Sequence, residues 1–437
     1  MSTHQPSELP RHTSVAIVGG GQAGLSLSYH LQQRSIDHVV IEKHHAMHAW
    51  QNQRWDNFCL VTPNWQCKLP GHDYSGDDPH GFMRKDEINR YLAAFREKVA
   101  PPLFEGVAVR RVAPRSAQAG GGFNVSTAAG DFTADQVVVA SGGYHLPIIP
   151  RLAERLPAGI TQVHSEQYRN AASLPEGAVL VVGSGQSGSQ IAEDLHLAGR
   201  KVFLAVGNAP RCARFYRGKD VVDWLADMHY YDMPVHEHPL REGVRDNTNH
   251  YVTGRDGGRD IDLRRFASEG MELLGVLKGL DGTTLQFATD LTQSLDQADK
   301  VYNGINASID KYIDKMGLTT AEPASVYQPV WSPEAERASI DLATAGITAI
   351  VWCIGFQPDF QWVEAPVFDG RGHPGHVRGV THQPGLYFLG LPWLYTWGSG
   401  RFSGVARDAL YLAEKIDALR LRDEEPSAQS ANLPAYS

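Results

Sequence analysis

Two glycine-rich stretches decide the fold: VAIVGGGQAG at positions 15–24 and VLVVGSGQSG at positions 179–188. Each places Gly-x-Gly-x-x-Gly after a four-residue apolar run and before a segment of helical periodicity, which is typical of a β-turn-α unit. The first glycine permits the tight turn, the second lets a pyrophosphate approach the backbone, and the third lets helix and strand pack closely. The helix N-terminus then attracts the phosphates. We therefore predict two dinucleotide sites; the alternative is two strand-helix turns without a ligand.

The residues after the second strand of each unit separate the two ligands. Glu42 ends the apolar run 38–41, where an acidic side chain accepts hydrogen bonds from the ribose of FAD or NAD. No acid ends the run 201–206, and Arg211 and Arg214 follow it. Arginine binds a 2′-phosphate in a bidentate manner, so these two residues favour NADP, unless they are ordinary surface arginines. The residues predicted to bind the two dinucleotides are Gly19, Gly21, Gln22, Ala23, Gly24, Glu42 and Lys43 for the first, and Gly183, Gly185, Gln186, Ser187, Gly188, Arg211 and Arg214 for the second.

Composition excludes several classes of function. The chain has 437 residues, 42% hydrophobic residues and a net charge of −9, so two globular domains are expected and no nucleic-acid partner is indicated. No apolar stretch reaches the roughly 18 residues of a membrane span, and the polar residues 1–12 do not resemble a signal peptide. We therefore expect a cytoplasmic protein without a membrane partner. The oligomeric state is open, with a homo-oligomer as one alternative.

The cysteines argue against thiol chemistry. Cys59, Cys67, Cys212 and Cys353 are scattered, and no pair has the Cys-x-x-Cys spacing of a redox dithiol or of a zinc site. Histidines cluster at positions 44, 45 and 48, but the segment already follows the ribose-binding acid. We predict no metal site.

The order of the elements predicts an α/β fold in which the second nucleotide domain is inserted into the first. We place the first part of the FAD domain at 1–150, an NADP domain with a helical and hairpin insertion at 160–345, the return of the FAD domain at 346–425, and a disordered tail at 426–437. The buried strands 136–140 and 385–390 end in small residues, which allows a strand end to lie against a cofactor.

With these motifs in this order, the chain resembles the flavin-containing monooxygenase-like family, the class B flavoprotein monooxygenases. The stretch 63–70 is similar to one in plant auxin-forming flavin monooxygenases, with Asn64 in place of a lysine, and the chain also resembles bacterial nitrilase-cluster flavin oxidoreductases. His164 and Tyr168 match half of the family signature that precedes the NADP loop. For His164, a direct cofactor role and a linker role that satisfies local backbone groups stay open.

The resemblance implies a glutathione-reductase-like pair of Rossmann domains, with FAD and NADPH as cofactors and a small-molecule substrate and O2 as partners. NADPH would reduce the flavin, and a C4a-hydroperoxyflavin would then transfer one oxygen atom to an amine, a sulfide or a carbonyl. The alternatives are an NADPH-dependent flavin reductase or oxidase without oxygen insertion, and a flavin-based redox sensor or electron-transfer protein.

The resemblance also implies which residues lie along the flavin. Asn64 is the candidate catalytic residue, as a donor to the hydroperoxide or to NADP, and its alternative is an Asx turn after Pro63. Trp393, Tyr395 and Trp397 would wall a substrate pocket or pack in the core, and Arg401 would hold an anionic group or lie in solvent. The remaining flavin contacts predicted are Trp50, Arg54, Leu60, Thr62, Val109, Ala140, Ser141, Gly142 and Gly390.

Overall fold

The computed structural model describes residues 8–430, and the side chains of residues 8–422. In chain order, its α-helices are α1 (Gln22–Gln33), α2 (His48–Asn52), α3 (Lys85–Val99), α4 (Gln186–Leu197), α5 (Val221–Asp227), α6 (Leu263–Ser268), α7 (Leu291–Met316) and α8 (Val405–Ser430).

The described strands β1–β14 precede α5, and β15–β21 follow α6. In chain order they are β1 (His12–Val18), β2 (His38–Ile41), β3 (Lys68–Leu69), β4 (His72–Asp73), β5 (Leu103–Phe104), β6 (Val109–Pro114), β7 (Phe123–Thr127), β8 (Gly130–Val139), β9 (Leu146–Pro147), β10 (Thr161–His164), β11 (Ala178–Val182), β12 (Val202–Ala205), β13 (Phe215–Tyr216), β14 (Lys219–Asp220), β15 (Glu272–Leu274), β16 (Leu277–Asp281), β17 (Thr284–Phe287), β18 (Ser339–Asp341), β19 (Ile347–Trp352), β20 (Phe356–Gln357) and β21 (Leu386–Phe388).

The first sheet has the order β5-β2-β1-β8-β7-β6, and β21 also pairs with β8. The strands around β1 are parallel, whereas β6, β7 and β8 form an antiparallel meander. Alternate residues of β1 enter different cores because successive side chains of a strand point to opposite faces. Val15 and Ile17 pack with α1, α3 and α8, while Ala16 and Val18 pack with the meander.

The second sheet has the order β10-β19-β11-β12-β15 and is parallel throughout. Both of its faces are covered, as parallel sheets require. Val179 and Val181 of β11 pack in the core that contains Ile191 of α4. Leu180 lies in the opposite core, with Leu285 from the hairpin of β16 and β17.

The insertion of one nucleotide domain into the other is confirmed by the strand pairing. β21 joins the first sheet by pairing with β8, although the whole second sheet lies between them in the sequence. One predicted boundary needs correction. β19 (Ile347–Trp352) pairs with β10 and β11, so the return to the first domain comes after residue 352 and not at 346. The run 347–352 is apolar because it is a central strand of the second sheet.

The chain end also differs from the prediction. α8 continues to Ser430, five residues into the stretch 426–437 that was expected to be disordered. Six of the seven residues before Pro426, at positions 419–425, are arginine, leucine or glutamate, which lose little side-chain freedom in a helix. The remainder of the predicted tail, 431–437, lies outside the described residues. Between residues 8 and 430, no helix has the length and apolar character needed to cross a bilayer.

Candidate functional site

The first glycine loop is shaped by close backbone packing. Gly19 has φ +120°, and a Cβ at this position would lie 2.5 Å from the carbonyl oxygen of Ala140. A Cβ at Gly24 would overlap the carbonyl oxygen of Gly19. At Gly21, by contrast, a Cβ would meet no atom within 4 Å. The outer glycines are thus required by packing, and the middle one leaves the open space that a pyrophosphate fills.

The second loop repeats this geometry. Gly183 has φ +101°, and a Cβ there would lie 2.6 Å from the carbonyl oxygen of Cys353. A Cβ at Gly188 would overlap the Gly183 carbonyl oxygen, whereas one at Gly185 would make only ordinary contact, at 3.4 Å, with the Thr248 methyl group. Both loops therefore fit a dinucleotide pyrophosphate at a helix N-terminus.

Glu42 fastens the first loop at the end of β2. Its Oε2 accepts a hydrogen bond from the Gly20 N–H at 2.7 Å, and its Oε1 accepts one from the His44 N–H at 2.8 Å. A carboxylate can accept about four hydrogen bonds, so it retains capacity for two ribose hydroxyls. Lys43 is exposed. The Val107 N–H donates to the Glu42 carbonyl oxygen at 2.9 Å, and Val109 begins β6 two residues later.

Gln22 joins the predicted flavin residues to the returning part of the domain. Its Oε1 accepts a hydrogen bond from Trp50 Nε1 at 3.1 Å, and its Nε2 donates to the Gly400 carbonyl oxygen at 3.5 Å. The Trp50 ring stacks on Phe402 with 4.9 Å between ring centroids. A Cβ at Gly390 would lie 2.7 Å from that of Ala23. These contacts bring the glycine loop, the 50–54 segment and the end of β21 together.

Two arginines of this region have no acidic partner. Among the described side chains, neither Arg54 nor Arg401 forms an ion pair with a carboxylate. Arg54 lies over the Trp50 ring, and Arg401 lies 3.9 Å from the centroid of Trp397 and donates to Asn249 Oδ1 at 3.0 Å. Burial lowers the pKa of both guanidinium groups.

Tyr144 lies close to the end of β8, and its ring contacts that of Phe356 with 5.4 Å between centroids. Tyr144 is 61% exposed and follows the predicted flavin contacts Ala140, Ser141 and Gly142. Gly142 has φ +79° with nothing within 4 Å of a Cβ, and Ser141 Oγ lies 3.2 Å from His145 Nε2. The small residues at this strand end thus leave open space at Gly142.

Asn64 does not have the geometry expected of the catalytic donor. It is 3% exposed; its Oδ1 accepts from the Met83 N–H at 2.7 Å and its Nδ2 donates to the Asp78 carbonyl oxygen at 2.9 Å. Both polar atoms therefore hold the 78–83 loop, and the residue does not form the Asx turn either. Leu60 is buried and bonded to the same loop through its N–H, and Thr62 is half-buried beside it.

Arg211 and Arg214 are not available for a 2′-phosphate, which corrects the prediction. Arg211 is 2% exposed, with Nε 3.0 Å from Asp299 and Nη1 3.4 Å from Asp262. Arg214 is fully buried, with Nη2 2.5 Å from Asp220 Oδ1. The chain turns into the interior after β12, because these arginines neutralise acids brought in by α5, α6 and α7. Sequence spacing gave no sign of those distant partners.

The residues around the second loop are fastened by side chains. Gln186 makes two bonds to the backbone of Val252, with Nε2 2.6 Å from the carbonyl oxygen and Oε1 3.3 Å from the N–H, while Ser187 is exposed. Ser184, which sequence reasoning missed, accepts a hydrogen bond from the Gly207 N–H at 3.0 Å. That bond ties the loop to the first residues after β12.

A cavity of about 640 Å³ lies at the carboxyl ends of β11 and β12. It includes Gly183 of the loop and Gly207 and Asn208 after β12. In open α/β sheets ligands bind at these strand ends, and the adenosine half of a dinucleotide lies beside the residue that follows the second strand. The cavity is therefore placed to receive the adenosine ribose of the second dinucleotide.

His164 and Tyr168 have structural contacts. His164 is 1% exposed, with Nε2 3.1 Å from the Gly355 carbonyl oxygen, and the Tyr168 hydroxyl donates to Asp194 Oδ2 at 2.7 Å. The Glu166 N–H also donates to His164 Nδ1 at 3.4 Å, a local backbone contact that fits the linker alternative. Of the aromatic trio, Trp393 packs in a buried cluster with Val235, while Trp397 is half-buried under Arg401.

All four cysteines are free. Burial raises the pKa of Cys59 to about 11 and that of Cys67 and Cys212 to about 12, and it also raises the pKa of Cys353. Buried thiols with raised pKa values are poor nucleophiles.

Comparison with known proteins places this site in a family. The model for the pyridine nucleotide-disulphide oxidoreductases matches residues 16–226, which include both glycine loops. An uncharacterised CzcO-like oxidoreductase of Geobacillus kaustophilus is 30% identical over 409 residues, covering 92% of this chain and 97% of that protein. The chain belongs to the CzcO-like oxidoreductases.

The chain is also similar to flavin monooxygenases. A probable indole-3-pyruvate monooxygenase of Arabidopsis thaliana, YUCCA4, is 28% identical over 183 residues, covering 41% of this chain and 43% of that protein. A flavin-containing monooxygenase from Stenotrophomonas maltophilia has the same fold, with a TM-score of 0.63, 18% identity and coverage of 94% and 99%. These similarities confirm the predicted family and the predicted fold class. They also confirm that the chain is a flavin-dependent oxidoreductase that uses FAD and NADPH.

Proposed function

We propose that this CzcO-like protein is an NADPH- and O2-dependent FAD monooxygenase. The carrying observation is that the chain has two dinucleotide loops of matching geometry, while its four cysteines are all free and burial raises the pKa of each. Electrons that enter through the second loop then have no dithiol to reduce. Molecular oxygen is the acceptor that remains.

The reaction balances with one substrate and one oxygen molecule. NADPH supplies two electrons as hydride, one oxygen atom enters an amine, a sulfide or a carbonyl substrate, and the other leaves as water with the hydride equivalent and a proton. Bound FAD supplies the oxygen chemistry. The protein's share is to hold nicotinamide against the flavin and to exclude water, which would otherwise release peroxide.

The side chains around Arg401 favour a substrate that carries an anionic group. Arg401 rests on Trp397 and lacks an acidic partner, and Asn249 orients one of its nitrogens. The guanidinium has five N–H donors, so after its bonds to Trp397 and Asn249 it keeps donors for a carboxylate. Indole-3-pyruvate, named for the Arabidopsis relative, combines a carbonyl with a carboxylate and so belongs to the carbonyl class of substrate proposed.

Rapid mixing tests the proposal. The holoenzyme is reduced anaerobically with one equivalent of NADPH and mixed with oxygenated buffer, and its absorbance spectrum is followed with time. We expect the spectrum of a transient flavin–oxygen adduct. When substrate is added, we also expect NADPH consumption to exceed peroxide release. Immediate reoxidation with one peroxide per NADPH would contradict the proposal and favour the reductase, oxidase or sensor alternatives.

A further inference from the structure

No cationic side chain lines the cavity at the end of β12. None of the residues that line it is lysine or arginine, and β12 is followed by Val206, Gly207 and Asn208. These are the positions from which a side chain reaches the 2′ oxygen of the adenosine ribose. A 2′-phosphate carries close to two negative charges at neutral pH, and its recognition calls for a guanidinium or ammonium group.

The nearest arginines along the chain cannot move in to supply that charge. Arg211 is held between Asp262 and Asp299 and against the rings of Tyr302 and Tyr327, with guanidinium carbon to centroid distances of 4.5 and 4.0 Å. Withdrawing it would leave half-buried Asp262 without its ion-pair partner and buried Asp299 with Arg264 alone, which is costly. Arg214 is equally committed to Asp220 and to the Val61 carbonyl oxygen.

The opposite wall of the cavity carries neutral amides and an acid. Gln293 and Gln297 come from the first turns of α7, and Asp290 precedes that helix. Asp290 Oδ1 accepts a hydrogen bond from the Val276 N–H at 3.0 Å, which holds the carboxylate in place. An acid and amides are suited to ribose hydroxyls, whereas the acid repels a phosphate.

We propose that the nucleotide site of this enzyme does not recognise the 2′-phosphate, so that NADH serves as reductant about as well as NADPH. The inference rests on the second loop binding the nicotinamide nucleotide. Gly207 and Asn208 are the specificity-determining positions, and Asp290 disfavours the phosphorylated ribose.

The test measures binding directly on the oxidised holoenzyme, so it does not depend on oxygenation. Calorimetric titration with 5′-AMP and with 2′,5′-ADP compares adenosine halves that differ only at the 2′ position. We expect the affinities for 5′-AMP and 2′,5′-ADP to agree within about tenfold. We expect the kcat/KM values for NADH and NADPH oxidation to agree to the same extent. A more than tenfold preference for 2′,5′-ADP and NADPH would overturn the proposal, and binding of neither probe would overturn it together with the assignment of the loop.

Substitutions sharpen the test. Asn208→Arg supplies the missing cation, and we expect it to raise the affinity for 2′,5′-ADP by about tenfold or more with little change for 5′-AMP. Asn208→Gln is the matched neutral control: it adds no charge, so the ratio of the 2′,5′-ADP and 5′-AMP affinities should stay within about threefold of that of the unaltered protein. If Asn208→Arg folds, as shown by retained FAD, and strengthens neither probe, position 208 does not face the ribose and the proposal fails.

Discussion

Nε of Arg211 lies 3.0 Å from Oδ1 of Asp299, and both side chains are almost completely buried. An arginine that looks like a phosphate ligand in the sequence is thus a structural cation that links the segment after β12 to α7. Replacing it should affect folding before it affects nucleotide choice.

Arg211→Gln should destabilise the protein by about 3 kcal/mol, because Asp262 loses its ion-pair partner while Asp299 keeps only Arg264. Chemical denaturation measures the loss, and the ratio of KM values for NADPH and NADH should stay constant. Arg371→Gln is the control, since Arg371 pairs with Asp246 at the surface and should contribute less than about 1 kcal/mol. A selective rise in the KM for NADPH would restore the phosphate-binding role of Arg211.

Gly21→Ala and Gly24→Ala should separate FAD binding from folding. A Cβ at Gly21 meets no protein atom, so the variant should fold, yet it should lose most of its flavin because the methyl group occupies the pyrophosphate space. A Cβ at Gly24 overlaps the Gly19 carbonyl oxygen, so that variant should lose stability as well. Flavin absorbance per protein and circular dichroism distinguish the two effects. A Gly21→Ala protein with full flavin content would show that the first loop does not hold FAD.

Glu42→Gln should weaken FAD retention by roughly tenfold or more. The carboxylate accepts hydrogen bonds from two backbone N–H groups and keeps capacity for the ribose, and an amide presents a donor to one of those partners. The dissociation constant of FAD from reconstituted apoprotein measures the change. Unchanged FAD retention would show that Glu42 makes no contact with the ribose.

Arg401→Gln should raise the dissociation constant of benzoate by about tenfold to a hundredfold, as expected for lost hydrogen bonds to a charged group. Neutral benzamide should bind both forms alike, which is followed from the flavin spectrum of the oxidised enzyme. Arg111→Gln, at an exposed pair with Glu364, is the control. Equal benzoate affinity in the two forms would exclude Arg401 as the anion site.

The thiols should be inert in the native enzyme at pH 8. Burial raises the pKa of Cys59 to about 11, so only about one molecule in a thousand carries the thiolate at that pH, and the fraction grows only as pH approaches the raised value. Iodoacetamide should label no cysteine before denaturation and all four after it. An anaerobic titration should end at one NADPH per FAD; a second equivalent would reveal a hidden dithiol and support a disulfide reductase.

Local sequence was sufficient to predict the parts of the site that are built from neighbouring residues. Both glycine loops and the place of Glu42 directly after β2 follow from motifs whose meaning is set within one β-turn-α unit. Glycine spacing dictates backbone approach, and alternating apolar runs dictate burial, so these features require no knowledge of distant partners.

Tertiary structure alone decided what the polar side chains do. Arg211, Arg214 and Asn64 each carry a group suited to ligand binding, yet partners from α5, α6, α7 and the 78–83 loop occupy them. For Arg401 the sequence left an anion site and a solvated loop charge open; the residue is half-buried on Trp397 and forms no ion pair with a carboxylate among the described side chains. Whether a charged group binds a ligand depends on which opposite charge the fold brings within a few ångströms, and that distance is not written in the spacing of the chain.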